Sequence, residues 1–270
     1  MTTCGKFSGA TGTVWESRAG APSQGGQPGW SDQNLAGIFF SAGGTDFAKY
    51  TAATNAWTTL AAIPVGVASW VSPQWIGLDD VYLLASGDVQ HYSVATNTWS
   101  TLKTGLSTFG SSESAHDDAG NLYTLQTDGN IVKYNIATNT ATTLTFGATG
   151  MSEPRMTWDS CTKKLFIAPG FASAPFFSFD PATSTKVTLA SNPDGLVNDV
   201  FCGDRSGHVY AAGAVSGTQI WQYTTATNAW AKIPNLPIDH GFNGACTVTG
   251  DGYLYTTPSS AGAVNRIQLK

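Results

Sequence analysis

Short apolar runs that stop at glycine alternate along this chain with an aromatic-led phrase, and the two together predict β-strands. The phrase occurs five times. It reads YTAATNAWTTL from Tyr50 to Leu60, YSVATNTWSTL from Tyr92 to Leu102, YNIATNTATTL from Tyr134 to Leu144, FDPATSTKVTL from Phe179 to Leu189 and YTTATNAWAKI from Tyr223 to Ile233. Each copy reads as a hairpin. Ala-Thr-Asn makes the turn, because Asn tolerates left-handed backbone and Thr bonds nearby backbone groups. A strand follows near the Trp. Upstream lie Ile38–Phe40 before Gly43-Gly44, Val81–Leu83 before Gly87, Leu122–Thr124 before Gly129, Leu165–Ile167 before Gly170 and Val209-Tyr210 before Gly213. Leu254-Tyr255 opens a sixth unit.

The phrase starts are 42, 42, 45 and 44 residues apart. That period is too long for one hairpin and suits a four-stranded blade. Tyr-x-x-x-Thr-Asn-x-Trp after a strand ending in Gly-Gly resembles the kelch repeat over nearly the whole chain. Only Gly43-Gly44 keeps the glycine pair, and Ala141 and Lys186 replace the Trp. The resemblance implies a β-propeller, and it implies no single function. The sixth unit lacks an outer strand, and Thr13-Val14-Trp15-Glu16-Ser17-Arg18 resembles the missing one. The expected fold is therefore all-β: a six-bladed β-propeller of four-stranded antiparallel blades, the sixth closed by the N-terminal strand. As one domain over 1–270, its blades span 27–62, 68–104, 109–146, 151–191, 196–235 and 241–270 plus 11–18. Closure of this kind removes sheet edges that otherwise aggregate.

Composition adds constraints. Charged residues make up 11% of the chain, against roughly 25% in ordinary globular proteins. Nine Trp, nine Tyr and thirteen Phe suit half-buried strands. The net charge is −5 and no Lys/Arg cluster exists, which argues against nucleic acid and anionic membranes as partners. No apolar run approaches the roughly 20 residues of a transmembrane helix. The start, MTTCGK, has no apolar signal core. It reads either as a cytosolic chain or as a mature secreted chain with an added start Met. No Asn-x-Ser/Thr acceptor is present. Cys4, Cys161, Cys202 and Cys246 form no CxxC motif and permit two bridges; the blade assignment suggests Cys4–Cys246 and Cys161–Cys202. Monomer and weak homodimer are both open.

Positions that recur between blades read as scaffold: Trp15, Trp57, Trp99 and Trp230, and a turn Asp at 32, 80, 118, 159, 204 and 251. Functional candidates lie where the blades differ. The connections that lead into each inner strand carry Trp30, Trp70, Glu113, His116, Glu153, Arg155, Asn198, Asp199, Asp239, His240, Phe242 and Asn243. Glu113, Glu153, Arg155, Asp199 and Asn243 lie nine to twelve residues ahead of the second strand, at about one depth. Three readings of this cluster stay open. It can be a structural plug with an Arg155 salt bridge. It can hold a glycan or similar small polar ligand between acids, amides and His240, with Trp70, Trp75 or Phe242 as an apolar face. It can be catalytic, with Glu113, Glu153, Asp199 and Asn243 as hard oxygen ligands for Ca²⁺ or Mg²⁺, and His240 or His116 as base. The leading expectation is a lectin-like binding protein that requires no cofactor. The alternative is a metal-assisted hydrolase or lyase, or a cyclase/isomerase, on the same carboxylates. A protein-interaction scaffold ranks third. No Gly-x-Ser-x-Gly elbow, HExxH, P-loop or dinucleotide fingerprint occurs.

Overall fold

The computed structural model describes residues 4, 6–7, 12–22, 29–30, 37–66, 71–107, 109–126, 128–148, 151, 153–170, 175–195, 200–212, 217–240, 244–258 and 262–269, with backbone alone at 29–30 and 109–111. No helix occurs among them. The strands are β1 (Glu16–Arg18); β2 (Gly29–Trp30), β3 (Ile38–Gly43), β4 (Asp46–Thr51) and β5 (Ala56–Thr59) in blade 1; and β6 (Gln74–Ile76), β7 (Asp80–Ala85), β8 (Asp88–Ser93) and β9 (Thr98–Lys103) in blade 2. Blade 3 has β10 (Phe109–His116), β11 (Asn121–Gln126), β12 (Ile131–Asn135) and β13 (Thr140–Leu144); blade 4 has β14 (Arg155–Asp159), β15 (Lys164–Ala168), β16 (Phe177–Asp180) and β17 (Thr185–Thr188). Blade 5 has β18 (Phe201–Gly203), β19 (His208–Ala212), β20 (Ile220–Thr224) and β21 (Ala229–Ile233); blade 6 has β22 (Ala245–Thr249), β23 (Tyr253–Thr257) and β24 (Val264–Gln268). Each blade is a four-stranded antiparallel sheet, and the six make a β-propeller. The sixth runs β22-β23-β24-β1, so both chain ends build it, with Glu16 opposite Arg266 and Arg18 opposite Val264.

The core is divided into wedges, one in each interface between neighbouring blades. Phe40 and Phe47 of blade 1 meet Trp75, Val81 and Tyr92 of blade 2 in one of them. Tyr210 and Ile220 of blade 5 meet Val248, Leu254 and Ile267 of blade 6 in another. Alternate residues of each inner strand therefore face opposite neighbours, and both sets are buried.

The recurring Tyr, Asn and Trp form a latch between blades. Trp57, Trp99, Trp230 and Trp15 donate their indole N–H to the carbonyls of Ala19, Ala61, Ala190 and Pro234, just past the outer strand of the preceding blade. Asn97 Oδ1 accepts from the Tyr92 hydroxyl and from Ala61 N, both at 2.8 Å. Asn55 and Asn228 repeat the arrangement with Tyr50 and Ala19 and with Tyr223 and Ala190. All three Asn have left-handed backbone, with φ between 50° and 54°, which is why Asn fits the turn. The two copies without Trp compensate differently. Lys186 Nζ donates to Gly147 O at 3.2 Å while lying over the Phe146 and Phe177 rings, and Asn139 Nδ2 donates to Leu102 O. Asn97→Ala should destabilise the fold by about 2–3 kcal/mol, from two lost hydrogen bonds and a strained Cβ. Asn97→Gly should lose about 1 kcal/mol less, because it removes the backbone part. Urea midpoints of the two variants measure the difference; equal midpoints would remove strain from this account.

The cysteines pair otherwise than expected: Cys202 with Cys246 and Cys4 with Cys161. Cys202 and Cys246 sit on adjacent inner strands with side chains turned toward each other across the interface of blades 5 and 6, at a Cα separation of 5.7 Å. Cys161 lies beyond the end of β14, in the turn before β15, so it faces the N-terminal segment rather than the middle of a neighbouring strand. The turn aspartates also need adjustment. Asp159 and Asp204 bond their own turns as expected. In blade 3 that role falls to Asp117, which accepts from Ala119 N, Asn121 N, Asn121 Nδ2 and the Tyr123 hydroxyl. Asp118 is released for a different task. Asp32 lies outside the described residues.

Candidate functional site

The inner strands start at one end of the channel, its mouth, and turn back at the other, its floor. Near the mouth, Arg155 Nη1 donates to Glu113 Oε1 at 3.0 Å, joining blades 3 and 4 by a buried ion pair. The two side chains are 2% and 9% exposed. Glu113 Oε2 also accepts from Met156 N at 3.4 Å, and Glu113 N donates to Pro154 O. The expected Arg155 salt bridge is therefore present.

Below it a small cavity touches five blades. Ser72 and Gln74, Glu113 and Ser114, Met156 and Thr157, Phe201 and Cys202, and Cys246 line it, and it has room for little more than one water molecule. Gln74 Nε2 donates to the carbonyls of Ser72 and Ser114, and Ser114 Oγ donates to Ser72 O. Gln74 Oε1 is left to accept from His116 Nδ1 at 3.0 Å, so His116 carries its proton on Nδ1.

The floor holds a residue that sequence reasoning missed. Arg205, in the turn after β18, reaches beneath blade 4 and donates to His116 O and Asp118 Oδ1 of blade 3, both at 2.9 Å. It is 5% exposed and has left-handed backbone, φ 58°. Asp118 also accepts from Lys163 Nζ and Ser160 Oγ, both at 2.7 Å, and from Trp158 Nε1 at 3.3 Å. Burial alone would raise the Asp118 carboxyl; the bonds from Lys163 and Ser160 and the Arg205 charge outweigh it and hold it well below the usual carboxylate range. Arg205 carried one legible signal: a cation in the turn after the inner strand, which only blade 4, with Lys163, shares.

His240 precedes the inner strand of blade 6. It is 2% exposed, and its Nδ1–H donates to Ile238 O at 3.0 Å. Its Nε2 is buried with no hydrogen-bond partner among the described residues. A Cβ on Gly244 would stand 2.9 Å from Val200 Cγ2 and 3.3 Å from His240 Cδ2, so only glycine lets blades 5 and 6 approach beside this imidazole. Burial holds His240 below the ordinary imidazole value, against the opposing effects of Ile238 O and Asp239. Burial, then the Arg205 charge, does the same more strongly for His116, against Asp118. Both are neutral at pH 7. Between the folded and unfolded values the unfolded chain binds more protons, so stability is complete above pH ~6.5 and falls as pH drops below it. The decline should approach about 1.4 kcal/mol per pH unit for each histidine, with a later loss below pH ~4 from Asp118. Melting temperatures that stay flat from pH 8 to 5 would contradict this.

Of the other expected site residues, Trp75 is 3% exposed and packed edge-on against Phe40 at 4.8 Å, so its ring fills the wedge between blades 1 and 2 and offers no ligand face. Glu153 is half-buried with left-handed backbone, φ 58°, two residues before Arg155. Trp70, Asn198, Asp199, Phe242 and Asn243 lie outside the described residues, as does the Trp30 side chain. No group of three His, Cys, Asp or Glu suited to a metal occurs among the described residues. Of the four expected Ca²⁺ or Mg²⁺ ligands, only Glu113 and Glu153 are described.

No protein-family model and no curated protein matches the chain. Among solved structures it resembles a structural genomics protein of unknown function from Bacteroides thetaiotaomicron VPI-5482. The TM-score is 0.69 at 11% identity, over 97% of this chain and 76% of that one. It also resembles streptogramin B lyase, with a TM-score of 0.64 at 13% identity, over 95% of this chain and 98% of that one. The shared feature is the propeller fold. At these identities the likeness extends to nothing finer, and the kelch-like phrase stands as a resemblance of sequence.

Proposed function

We propose that the chain is a binding protein for a small neutral ligand rich in hydrogen-bond donors, a glycan or a similar hydroxylated compound, held at the channel mouth. The supporting observation is that the donors of the polar wall are spent within the protein, while Glu113 presents a carboxylate there. The Gln74 amide protons and the Ser114 hydroxyl proton are already spent on backbone carbonyls. Glu113 brings a carboxylate whose charge Arg155 balances. A ligand at the mouth that offers O–H groups would meet this carboxylate from above, the water-sized space beneath being too small to take the ligand itself.

A glycan array followed by calorimetry, with and without EDTA, tests this. Glu113→Gln should weaken binding by about 10-fold or more, the loss of one charged hydrogen bond, measured at a temperature where circular dichroism shows the variant folded, since it also leaves Arg155 without its carboxylate. Unchanged affinity would move the ligand elsewhere. Affinity lost in EDTA would favour a cation on Glu113, Glu153, Asp199 and Asn243.

One observation favours an enzyme as the second reading, a hydrolase, lyase or cyclase/isomerase. His240 is a neutral imidazole with a fixed tautomer and a bare Nε2, the form a general base requires. Loss of turnover, with binding retained, in His240→Asn would support it.

A further inference from the structure

We propose that the Cys4–Cys161 disulfide is a redox latch on closure of the ring. The two cystines differ in access. Cys202 and Cys246 are each 5% exposed, inside the wedge between blades 5 and 6. Cys4 is exposed and Cys161 half-buried. Exchange requires a thiolate to reach a sulfur, so an external dithiol meets Cys4–Cys161 first.

What this bond fastens is the segment that closes the propeller. From Cys4, tied to the floor turn of blade 4, the chain passes to the floor turn of blade 6, where Lys6 Nζ donates to Gly250 O at 3.1 Å. Phe7 is 4% exposed in the wedge between blades 5 and 6, and one of its ring carbons lies 3.4 Å from where a Cβ on Gly252 would stand. Gly12 N donates to Gln268 O at 3.0 Å, and three residues later Trp15 leads into β1. The closing strand itself is weakly held. It has three residues, with Glu16 and Ser17 exposed. Its side-chain anchors are the Glu16–Arg266 pair and the bonds from Arg18 to Tyr50 and Ala52. The far end of the latch is no passive loop either. Ser160 and Lys163, on either side of Cys161, both bond Asp118, and Ser160 N donates to Arg205 O. One accessible bond thus joins the turn that organises the floor to the segment that seals blade 6.

In the reduction, a dithiol's thiolate attacks one sulfur of Cys4–Cys161 to give a mixed disulfide. Its second thiol then displaces the protein sulfur. Two electrons and two protons pass to the protein, leaving two cysteine thiols and a cyclic oxidised dithiol, while Cys202–Cys246 stays intact. The released segment then leaves blade 6 to open and close about β1–β24. The ring is locked in oxidising surroundings and breathes at its seam in reducing ones.

The experiment titrates the folded full-length chain with dithiothreitol, traps thiols with iodoacetamide and follows each pair by mass spectrometry, with hydrogen exchange on the same samples. Cys4 and Cys161 should be labelled at least tenfold faster than Cys202 and Cys246. Once they are, amides of 12–18 and 264–269 should exchange at least tenfold faster, while those of β7 in blade 2 should not change. Cys4→Ser/Cys161→Ser should show that fast seam exchange without reductant. Two cystines reduced together, or seam exchange unaltered with Cys4–Cys161 open, overturns the proposal. The reductant arm uses the native chain, so the outcome stands even where the double variant folds poorly.

Discussion

Arg155→Met should destabilise the protein by about 3–5 kcal/mol, a large part of the stability of an ordinary domain. The guanidinium and the Glu113 carboxylate are both almost wholly removed from water, 3.0 Å apart, at the junction of blades 3 and 4. In place, each compensates the desolvation of the other. Once Arg155 is gone, the Glu113 carboxylate stays buried without its guanidinium, with Met156 N still donating to it at 3.4 Å. The pair as a whole is a different matter, because replacing both partners by apolar groups is often close to neutral. Arg155→Met/Glu113→Leu should therefore recover most of the loss. Denaturant titration of the two single variants and the double variant gives the coupling directly. A single-variant loss below about 1 kcal/mol would mean that the pair is far better hydrated than its burial indicates.

The second large effect concerns the seam. Deleting residues 1–18 should lower the melting temperature by at least about 10 °C and make the chain self-associate. The deletion removes the whole of β1 and leaves the edge of β24 unpaired. It also removes Phe7 from the wedge between blades 5 and 6, the Trp15 bond to Pro234 and the Arg18 bonds to Tyr50 and Ala52. An unpaired strand edge recruits other edges, so light scattering should report oligomers. A truncated chain that stays monomeric and melts unchanged would show that three blade-edge hydrogen-bonding residues contribute little.

The repeat was legible because five copies of one local solution stand side by side. Tyr92, Asn97 and Trp99 act on one another and on Ala61, all within one period, so the pattern in sequence is the pattern in space. The seam was legible for the same reason, since Trp15 copies Trp57. The floor was not. Arg205 acts on Asp118 across an intervening blade, and a contact 87 residues long leaves no local trace. Cystine pairing failed on a finer point. Pairing depends on which face of an inner strand a residue takes, and Cys161 lies past the strand altogether. In blade 3, two adjacent aspartates concealed which one serves the turn and which the ion cluster. At the mouth, the Glu113–Arg155 contact followed from similar depth in neighbouring blades, whereas Trp75 misled because a tryptophan that breaks a repeat can simply fill a wedge.

The indole-to-carbonyl latch has a consequence for how such a ring can be rearranged. It runs from Trp57 to Ala19 as between continuous blades, and from Trp15 to Pro234 it joins the two ends of the chain in the same way. The contacts are indifferent to where the polypeptide is interrupted. A circular permutant with the present ends joined and new ones cut at an outer hairpin, for example at Thr96–Asn97 or Thr227–Asn228, keeps every latch but the one at its own cut. A family of such permutants would separate what the ring owes to its repeated bonds from what it owes to the order in which its blades are synthesised.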